Sequence, residues 1–250
     1  MKNIGIDIGG TSIKGAVIES GTVTARAKRS DISRGLDSIR DCLFAVIKDL
    51  LPLAGTDAGI GIGSAGDIDP YEGKVLYATG NLPGFTGFEI KKDVENKFNR
   101  RVFVVNDAAA AFIGEAYFGA AENCKNAVML TLGTGLGSAA SINGKLLTGA
   151  NFHAARIGHI PLHIGGRECN CGKVGCAARR KLHRIHSGIG GGVKVIVKVD
   201  AVHRVVLQKL GHALHHIVGS LRNGGVQVGP LVHGADPLRV GVQQAVLCKD

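Results

Sequence analysis

The chain has 250 residues, of which 45% are hydrophobic, and it carries 30 Lys and Arg residues against 20 Asp and Glu residues. This apolar content is enough for a buried core, and the 38 Gly residues follow no three-residue period, so disordered and collagen-like chains are excluded. No apolar run approaches the ~20 residues that a membrane-spanning helix needs. Asp7 interrupts the N-terminus before the apolar stretch of a secretion signal could form. We therefore expect a soluble, cytoplasmic protein.

The basic charge is concentrated in the C-terminal part of the chain. Residues 179–250 contain 11 basic and 3 acidic residues and 7 of the 10 His, but no Glu, Phe or Tyr, whereas the residues up to Ala178 are nearly balanced at 19 basic and 17 acidic. A basic segment can bind nucleic acid, but this one lacks the aromatic residues that stack on bases, so we expect no nucleic-acid partner. The abrupt change is what a frameshift in a GC-rich gene would produce, and we hypothesise that residues 179–250 are such a tail.

The N-terminal part alternates short β-rich runs with glycine turns, which predicts an antiparallel meander. Its three strands are expected at residues 3–8, 14–19 and 22–27. Apolar residues then recur at helical spacing from Leu36 to Leu50, and Pro52 is expected to end that helix.

The middle of the chain repeats this pattern. A strand at 59–63 and a second at 102–105 precede an Ala-rich helix from Ala108 to about Phe118. A strand at 127–132, a glycine loop and a hairpin through Asn143-Gly144 follow. Strand, glycine loop and hairpin thus occur twice, which indicates an internal duplication. In the tail, Val193 to Val199 alternate like a strand and residues 205–218 have a helical pattern.

Two glycine loops are candidates for binding phosphate. Asp7 precedes the first, Gly9-Gly10-Thr11, and Lys14 follows it, while the second is Gly133-Thr134-Gly135. A loop without side chains lets backbone N–H groups approach phosphate oxygens, and a nearby carboxylate can bind Mg²⁺. The alternative is that each loop is a tight turn that needs glycine for its backbone angles. Two similar loops in duplicated hairpins favour binding of a nucleotide triphosphate.

Asn106-Asp107 stands where a predicted strand meets a predicted helix. Asp107 could cap the helix by accepting hydrogen bonds from the free N–H groups of its first turn. It could also act as a general base at the end of a strand. Spacing alone favours the cap, although one carboxylate could occupy either role.

One His and three Cys form the most specific candidate site in the sequence: His159, Cys169, Cys171 and Cys176. An imidazole and three thiolates complete the tetrahedral shell that structural Zn²⁺ takes. Buried cysteines without a ligand role are the alternative, but three Cys within eight residues favour the metal. We predict a closed, structural zinc site in a reducing compartment.

Taken together, these motifs resemble the ROK family of bacterial sugar kinases and repressors, in matching order over residues 3–176. The matching segments are DIGGTSIKG at 7–15, GSAGDID at 63–69, NLPGF at 81–85, VVNDAAAA at 104–111, TLGTGLGSA at 131–139, IGH at 157–159 and CNCGKVGC at 169–176.

The resemblance implies an actin-like, ribonuclease-H-like α/β fold with duplicated domains around a cleft, the first at 1–118 and the second beginning at 119–178. It implies ATP-dependent phosphorylation of a hexose, with Mg²⁺ and ATP bound through both glycine loops, a structural Zn²⁺ and a homodimer. Asp107 is implied as the base, and Gly66, Asn81, Asn106 and His159 as sugar-binding residues. Family repressors carry a DNA-binding segment before the first glycine loop, and with that loop starting at residue 7 we expect a kinase.

Three residues depart from the family pattern. The family has Gly-Glu directly before Ile-Gly-His, where this chain has Ala155-Arg156, and a second sugar-binding Glu is replaced by Ala178. An Arg donates hydrogen bonds where the Glu would accept them, so weakened sugar binding is expected. The alternative hypothesis is therefore a catalytically inactive protein that binds sugar and zinc.

Overall fold

The structure is a computed structural model that describes residues 2–30, 32, 35–132 and 136–179, together with the backbone of the strands 193–198 and 244–247. The chain divides into two compact units. The first comprises Met1–Gly114 and Thr148–Ala154, and the second comprises Glu115–Leu147 and the chain from Ala155 onward. Among the described residues, every helix is too short or too polar to serve as a transmembrane span.

The first unit is built on a mixed five-stranded sheet in the order β3-β2-β1-β4-β7. The first three strands form an antiparallel meander, and the last two run parallel to β1. The predicted meander is therefore confirmed. These strands are β1 (Lys2–Ile8), β2 (Ile13–Glu19), β3 (Thr22–Arg29), β4 (Ile60–Ser64) and β7 (Val102–Asn106).

Helix α1 (Leu36–Ala54) packs its apolar face on this sheet, as its spacing predicts. Pro52 was expected to end the helix, but it lies within the last turn, and the Gly55 N–H still donates to Leu51 O at 3.3 Å. A proline removes one backbone donor and restricts mainly the residue before it, so a helix about to end can tolerate it. The residues of α1 that are at least 99% buried in this core are Ile39, Leu43, Val46, Ile47 and Leu50.

Three elements of the first unit were not predicted. A two-stranded hairpin of β5 (Asp67–Asp69) and β6 (Lys74–Tyr77) follows β4, and helix α2 (Ile90–Phe98) precedes β7. The hairpin strands are too short to show alternation, and α2 buries only Ile90 and Val94 in a mostly polar sequence. Tertiary packing rather than a local pattern therefore determines these elements.

The second unit repeats the meander in a sheet of the order β10-β9-β8-β11-β12. The antiparallel pairing of β8 with β9 and of β9 with β10 matches the first unit and confirms the duplication at this level. The fourth strand differs, because β11 runs antiparallel to β8 whereas β4 runs parallel to β1. The valine alternation predicted the strand at β11, and the predicted helix at 205–218 lies outside the described residues. These strands are β8 (Ala127–Leu132), β9 (Leu136–Ile142), β10 (Lys145–Leu146), β11 (Val193–Lys198) and β12 (Gln244–Leu247).

Candidate active site and metal cluster

The carboxyl ends of three parallel strands bring the predicted residues of the first unit together. In register, Ile8 of β1 lies opposite Ser64 of β4, and Ser64 lies opposite Asn106 of β7. The first glycine loop, the turn containing Gly66, and Asn106-Asp107 all follow this row. In α/β sheets, ligands usually bind at the edge where adjacent parallel strands end, and polar groups that follow these strands line that edge.

The first glycine loop closes the β1–β2 hairpin, where the Gly9 N–H donates to Ser12 O at 3.0 Å. Asp7 and Lys14 stand opposite each other in the two strands, with Lys14 Nζ 3.8 Å from Asp7 Oδ2. Thr11 at the tip is exposed. The loop thus presents backbone groups to solvent between a carboxylate and an ammonium group.

Asn81 lies against this loop. A Cβ atom placed on Gly10 would stand 3.8 Å from the Cβ of Asn81, which is itself exposed. The sequence places these two residues 71 positions apart, and the fold makes them neighbours. The candidate sugar residue and the candidate phosphate loop therefore share one surface of the first unit.

Asn106, rather than Asp107, caps helix α3 (Asp107–Phe118). Its Oδ1 accepts hydrogen bonds from the N–H groups of Ala108 at 3.0 Å and Ala109 at 3.3 Å, and its Nδ2 donates to Gly66 O at 2.9 Å. The spacing had favoured Asp107 as the cap, and this is corrected: Asn106 accepts from two N–H groups of the first turn, whereas Asp107 Oδ1 accepts from the N–H of the adjacent Ala108, at 2.9 Å. With Asn106 as the cap, the carboxylate of Asp107 keeps acceptor capacity for other partners.

Gly63 allows the start of α3 to approach β4. A Cβ atom at this position would lie 2.9 Å from the Cβ of Ala110 and 3.6 Å from the Cα of Asp107. Any side chain here would push the first turn of α3 away from the sheet. The position of Asp107 therefore depends on a glycine in the neighbouring strand.

Desolvation raises the pKa of Asp107 above the ordinary value for a carboxyl group; the Ala108 N–H opposes this shift and the charge of Asp7 adds to it. Desolvation also raises the pKa of Asp7, against the opposing effect of Lys14. Both side chains nevertheless reach solvent. A cation would stabilise the ionised forms of two carboxylates that lie within electrostatic range of each other.

In the second unit, the donor atoms of His159, Cys169, Cys171 and Cys176 all lie within 4.8 Å of one another. Cys169 Sγ is 3.6 Å from His159 Nδ1, and Cys171 Sγ is 3.7 Å from Cys176 Sγ. Zinc bonds of about 2.3 Å to sulfur and about 2.0 Å to nitrogen place tetrahedral ligand atoms about 3.5–3.8 Å apart. These two distances match that range, and the four predicted residues lie close enough together to hold one metal ion.

The protonation of the cluster also fits a metal. Burial, followed by the charges of Arg156 and Lys173, lowers the pKa of His159, which favours the neutral imidazole that ligates metals. Burial and the neighbouring sulfur atoms raise the pKa of Cys176 to about 12. Several thiolates cannot form side by side at neutral pH unless a cation offsets their charge.

The Ile157–His159 turn, which carries the histidine, is fixed to the start of β9. A Cβ atom on Gly158 would lie 2.0 Å from Leu136 O, so only glycine fits there. The Ser138 hydroxyl donates to Ala155 O and accepts from the Ile157 N–H at 2.9 Å. β9 directly follows the second glycine loop, Gly133-Thr134-Gly135, which lies outside the described residues. Ser138 was not predicted, because a serine inside a strand carries no motif.

A family profile described as the ROK family matches residues 3–180. The chain belongs to the ROK family. The match ends close to residue 178, where the composition changes, and the resemblance stated from the motifs is confirmed.

The ROK relatives include both kinases and repressors. The chain is 34% identical to a glucokinase of Thermotoga maritima over 70% of this chain and 56% of that protein. It is 30% identical to a xylose repressor of Bacillus subtilis over 70% of this chain and 46% of that protein. A ROK glucokinase of Streptomyces griseus, solved in complex with glucose and AMPPNP, is 34% identical with a TM-score of 0.66 over 72% of this chain and 56% of that one. The chain thus spans about half the length of the curated relatives it matches.

The three residues that depart from the ROK pattern lie in the second unit. Ala155 has a φ of +58°, in the left-handed region where the ROK pattern has Gly. Arg156 is partly buried within electrostatic range of Cys171 and His159, and burial lowers its pKa. Ala178 lies in the short Ala177–Arg179 helical turn. The side chain of Arg156 is thus associated with the Cys/His cluster.

Two variants of Asn106 distinguish its capping of α3 from its hydrogen bond to Gly66. We expect Asn106→Ala to lower the free energy of unfolding by about 1–2 kcal/mol, because two N–H groups of α3 lose their acceptor. Asn106→Ser, which keeps a capping oxygen but cannot reach Gly66, should recover most of that loss. Urea denaturation of both variants measures the difference, and equal stability of the alanine variant and the parent would contradict the capping role.

Restoring glycine at position 155 should stabilise the chain. Left-handed backbone costs a non-glycine residue about 1–2 kcal/mol, and glycine gives back up to about 1 kcal/mol through the entropy of the unfolded chain. We therefore expect Ala155→Gly to raise the free energy of unfolding by up to about 1 kcal/mol. Ala154→Gly, at a neighbour outside the left-handed region, is the matched control and should destabilise. A lower melting temperature for Ala155→Gly than for the parent would refute this account.

Proposed function

We propose that the protein transfers a phosphoryl group from ATP to a hydroxyl of a hexose, a glucokinase-type reaction with Asp107 as the general base. The position of Asp107 carries this proposal. It reaches solvent at the binding edge of the first sheet, beside the first glycine loop and within electrostatic range of Asp7. The names of ROK relatives, among them glucokinases and an N-acetylmannosamine kinase, support sugar phosphorylation as the reaction.

Asp107 has the properties that the base needs. Its raised pKa makes the carboxylate a better proton acceptor than an ordinary aspartate. Because Asn106 caps the helix, Asp107 can accept a proton from a sugar hydroxyl. Under this proposal Asn106, Gly66, Asn81 and His159 contact the sugar.

The nucleotide would be bound by Asp7, Gly9, Gly10, Thr11 and Lys14 in the first unit, and by Gly133, Thr134 and Gly135. Magnesium-ATP supplies the phosphoryl group and the cation that neutralises its charge. The backbone of the first loop can approach phosphate oxygens because it carries no bulky side chain. The Asp7 carboxylate would bind the cation, and the nearby ammonium group of Lys14 opposes the rise that desolvation causes in the pKa of Asp7.

We propose that His159, Cys169, Cys171 and Cys176 hold a structural zinc ion. Four protein ligands leave no position for a reacting water, so the ion would stabilise the fold rather than take part in the chemistry. Its coordination would fix the Ile157–His159 turn, which is already packed on β9 through Gly158. The homodimer implied by the family remains part of this proposal.

A second candidate is a protein that binds sugar without phosphorylating it, and Arg156 is the observation in its favour. Arg156 donates hydrogen bonds at a position where the Glu of the family pattern accepts them. This exchange changes which ligand groups can be bound near His159. Calorimetry with glucose, in parallel with a coupled assay of ADP release, separates the two candidates. Binding without turnover supports the second candidate and overturns the first.

The Asp107→Asn variant tests the base. We expect its turnover number with glucose to fall by about 10²–10⁴-fold, because the amide cannot accept the proton. Asp57→Asn, at an exposed carboxyl outside the site, is the control and should match the parent. Retained turnover in Asp107→Asn would contradict the assignment, and no turnover of the parent with any hexose would overturn the kinase proposal.

Stability supplies an independent check on the same variant. The pKa of Asp107 is higher in the folded state than in the unfolded chain. Ionisation of Asp107 therefore lowers the stability at every pH above the pKa of the unfolded chain, and this loss disappears as the pH falls below that pKa. Asp107→Asn should therefore melt at a higher temperature than the parent at neutral pH, with the gap closing in acid. A lower melting temperature at neutral pH would argue against a desolvated carboxylate.

Metal analysis tests the zinc site. We expect one zinc ion per chain by mass spectrometry of the purified protein, and loss of that ion in Cys176→Ser. Cys42→Ser removes a cysteine in α1 outside the cluster and should retain the metal. Chelation should lower the melting temperature of the parent and of Cys42→Ser but not of Cys176→Ser. A zinc-free parent after growth with added zinc would refute the site.

A further inference from the structure

Arg156 is connected to both chain segments that supply ligands to the Cys/His cluster. One segment is the Ile157–His159 turn, and the other is the loop at 169–176. The Arg156 carbonyl accepts a hydrogen bond from the His159 N–H at 3.2 Å, so this residue begins the turn that carries the imidazole. Its partly buried guanidinium lies within electrostatic range of Cys171 in the other segment. Arg156 thus acts on one segment through its backbone and on the other through its charge.

The backbone on both sides of Arg156 is held by one side chain of the neighbouring strand. The Ser138 hydroxyl donates to Ala155 O and accepts from the Ile157 N–H at 2.9 Å. These contacts involve none of the four ligand side chains. The place of the Arg156 backbone beside His159 is therefore determined by the fold of the second unit and does not require the metal.

A zinc-loaded cluster would carry a net negative charge. Three thiolates bring three negative charges and Zn²⁺ brings two positive ones, so one negative charge remains. Cys169 and Cys176 are buried, and a buried charge is costly unless an opposite charge lies nearby. An arginine side chain stays protonated in proteins. Arg156 therefore places a permanent positive charge where the loaded cluster has a negative charge to neutralise.

Lys173 also acts on the ligands electrostatically, but its setting differs from that of Arg156. Burial, followed by the charges of Arg156 and Lys173, lowers the pKa of His159, so both cations lie within range of this ligand. Lys173 is exposed, and solvent and salt screen the charge of an exposed group more strongly than that of a partly buried one. Of these two cations, Arg156 is the better placed to offset charge on the cluster.

We propose that Arg156 offsets the net negative charge of the zinc-loaded cluster and thereby raises the affinity of this chain for zinc. The inference rests on the proposed zinc site. It assigns the guanidinium to the metal cluster, at a position where the ROK pattern has a glutamate. Arg156 is a positioning residue in this account, because it acts through the ligands and does not bind the ion itself.

Competition with a chromophoric chelator measures the zinc affinity of the full chain and of its variants. We expect Arg156→Gln to bind zinc about tenfold more weakly than the parent, a loss typical of residues that support metal ligands. Arg156→Lys keeps the positive charge and should recover most of that loss. Equal zinc affinity of Arg156→Gln and the parent would overturn the inference and leave the zinc site intact.

Arg167→Gln is the matched control for the loss of one positive charge. Arg167 is an exposed arginine of the same unit, so solvent screens its charge and the variant should bind zinc like the parent. A loss of affinity in Arg167→Gln as large as that in Arg156→Gln would show that the effect follows total charge. That result would overturn the specific role of Arg156.

Cobalt in place of zinc distinguishes a lost charge from a distorted site. Arg156→Gln retains all four ligands, so at saturating Co²⁺ its visible absorption spectrum should match that of the parent. A changed spectrum would mean that the substitution alters the coordination geometry, and it would overturn the electrostatic account.

Thermal melting gives a readout on the zinc-free chain as well. Arg156→Gln should melt at a lower temperature than the parent when zinc is bound, because weaker binding stabilises the folded state less. After chelation it should melt no lower than the parent, because the charge that Arg156 offsets belongs to the loaded cluster. An equal decrease in both states would indicate a role in general stability and overturn the inference. A parent that binds no zinc would overturn the proposed zinc site, and this inference with it.

Discussion

The register of three parallel strands is the constraint on which the proposed site of the first unit depends. β1, β4 and β7 end in one row, so three segments far apart in the chain leave the sheet at the same edge. The close approach of α3 to Gly63 then determines how near Asp107 lies to β4. A slip of one residue in β4 would exchange the faces of its side chains and separate the turn at Gly66 from Asn106.

Asn106 uses both ends of its amide, and Asp107 next to it is therefore not needed as the cap of α3. The oxygen satisfies two N–H groups of α3 and the nitrogen holds the Gly66 carbonyl. A carboxylate in the same place could accept from the helix but could not donate to Gly66. Desolvation raises the pKa of Asp107, and its side chain still reaches solvent, a combination that suits the proposed general base.

Sequence reasoning succeeded where a pattern is local or chemically specific. The meander follows from alternation and glycine turns, α1 from its apolar spacing, and the Cys/His cluster from ligand type and count. It failed where the deciding contact is made across the fold. Nothing in the spacing shows that Asn106 rather than Asp107 receives the N–H groups of α3, or that Asn81 lies against Gly10. The β5–β6 hairpin was missed because strands of three and four residues are too short to show a period.

Residues 152–156, where the backbone passes from the first unit to the second, combine two positive φ angles with the departure from the ROK pattern. Phe152 and Ala155 both adopt positive φ, which non-glycine residues adopt only at a cost. That cost must be offset by local contacts, and each is present: Phe152 packs on Tyr71, His153 pairs with Asp67, and Ser138 bonds on both sides of Arg156. Ala155-Arg156, which stands where the family pattern has Gly-Glu, therefore lies in a segment that is held by contacts on both sides. It follows that replacing Arg156 alone by Glu would leave the contacts of Phe152, His153 and Ser138 in place.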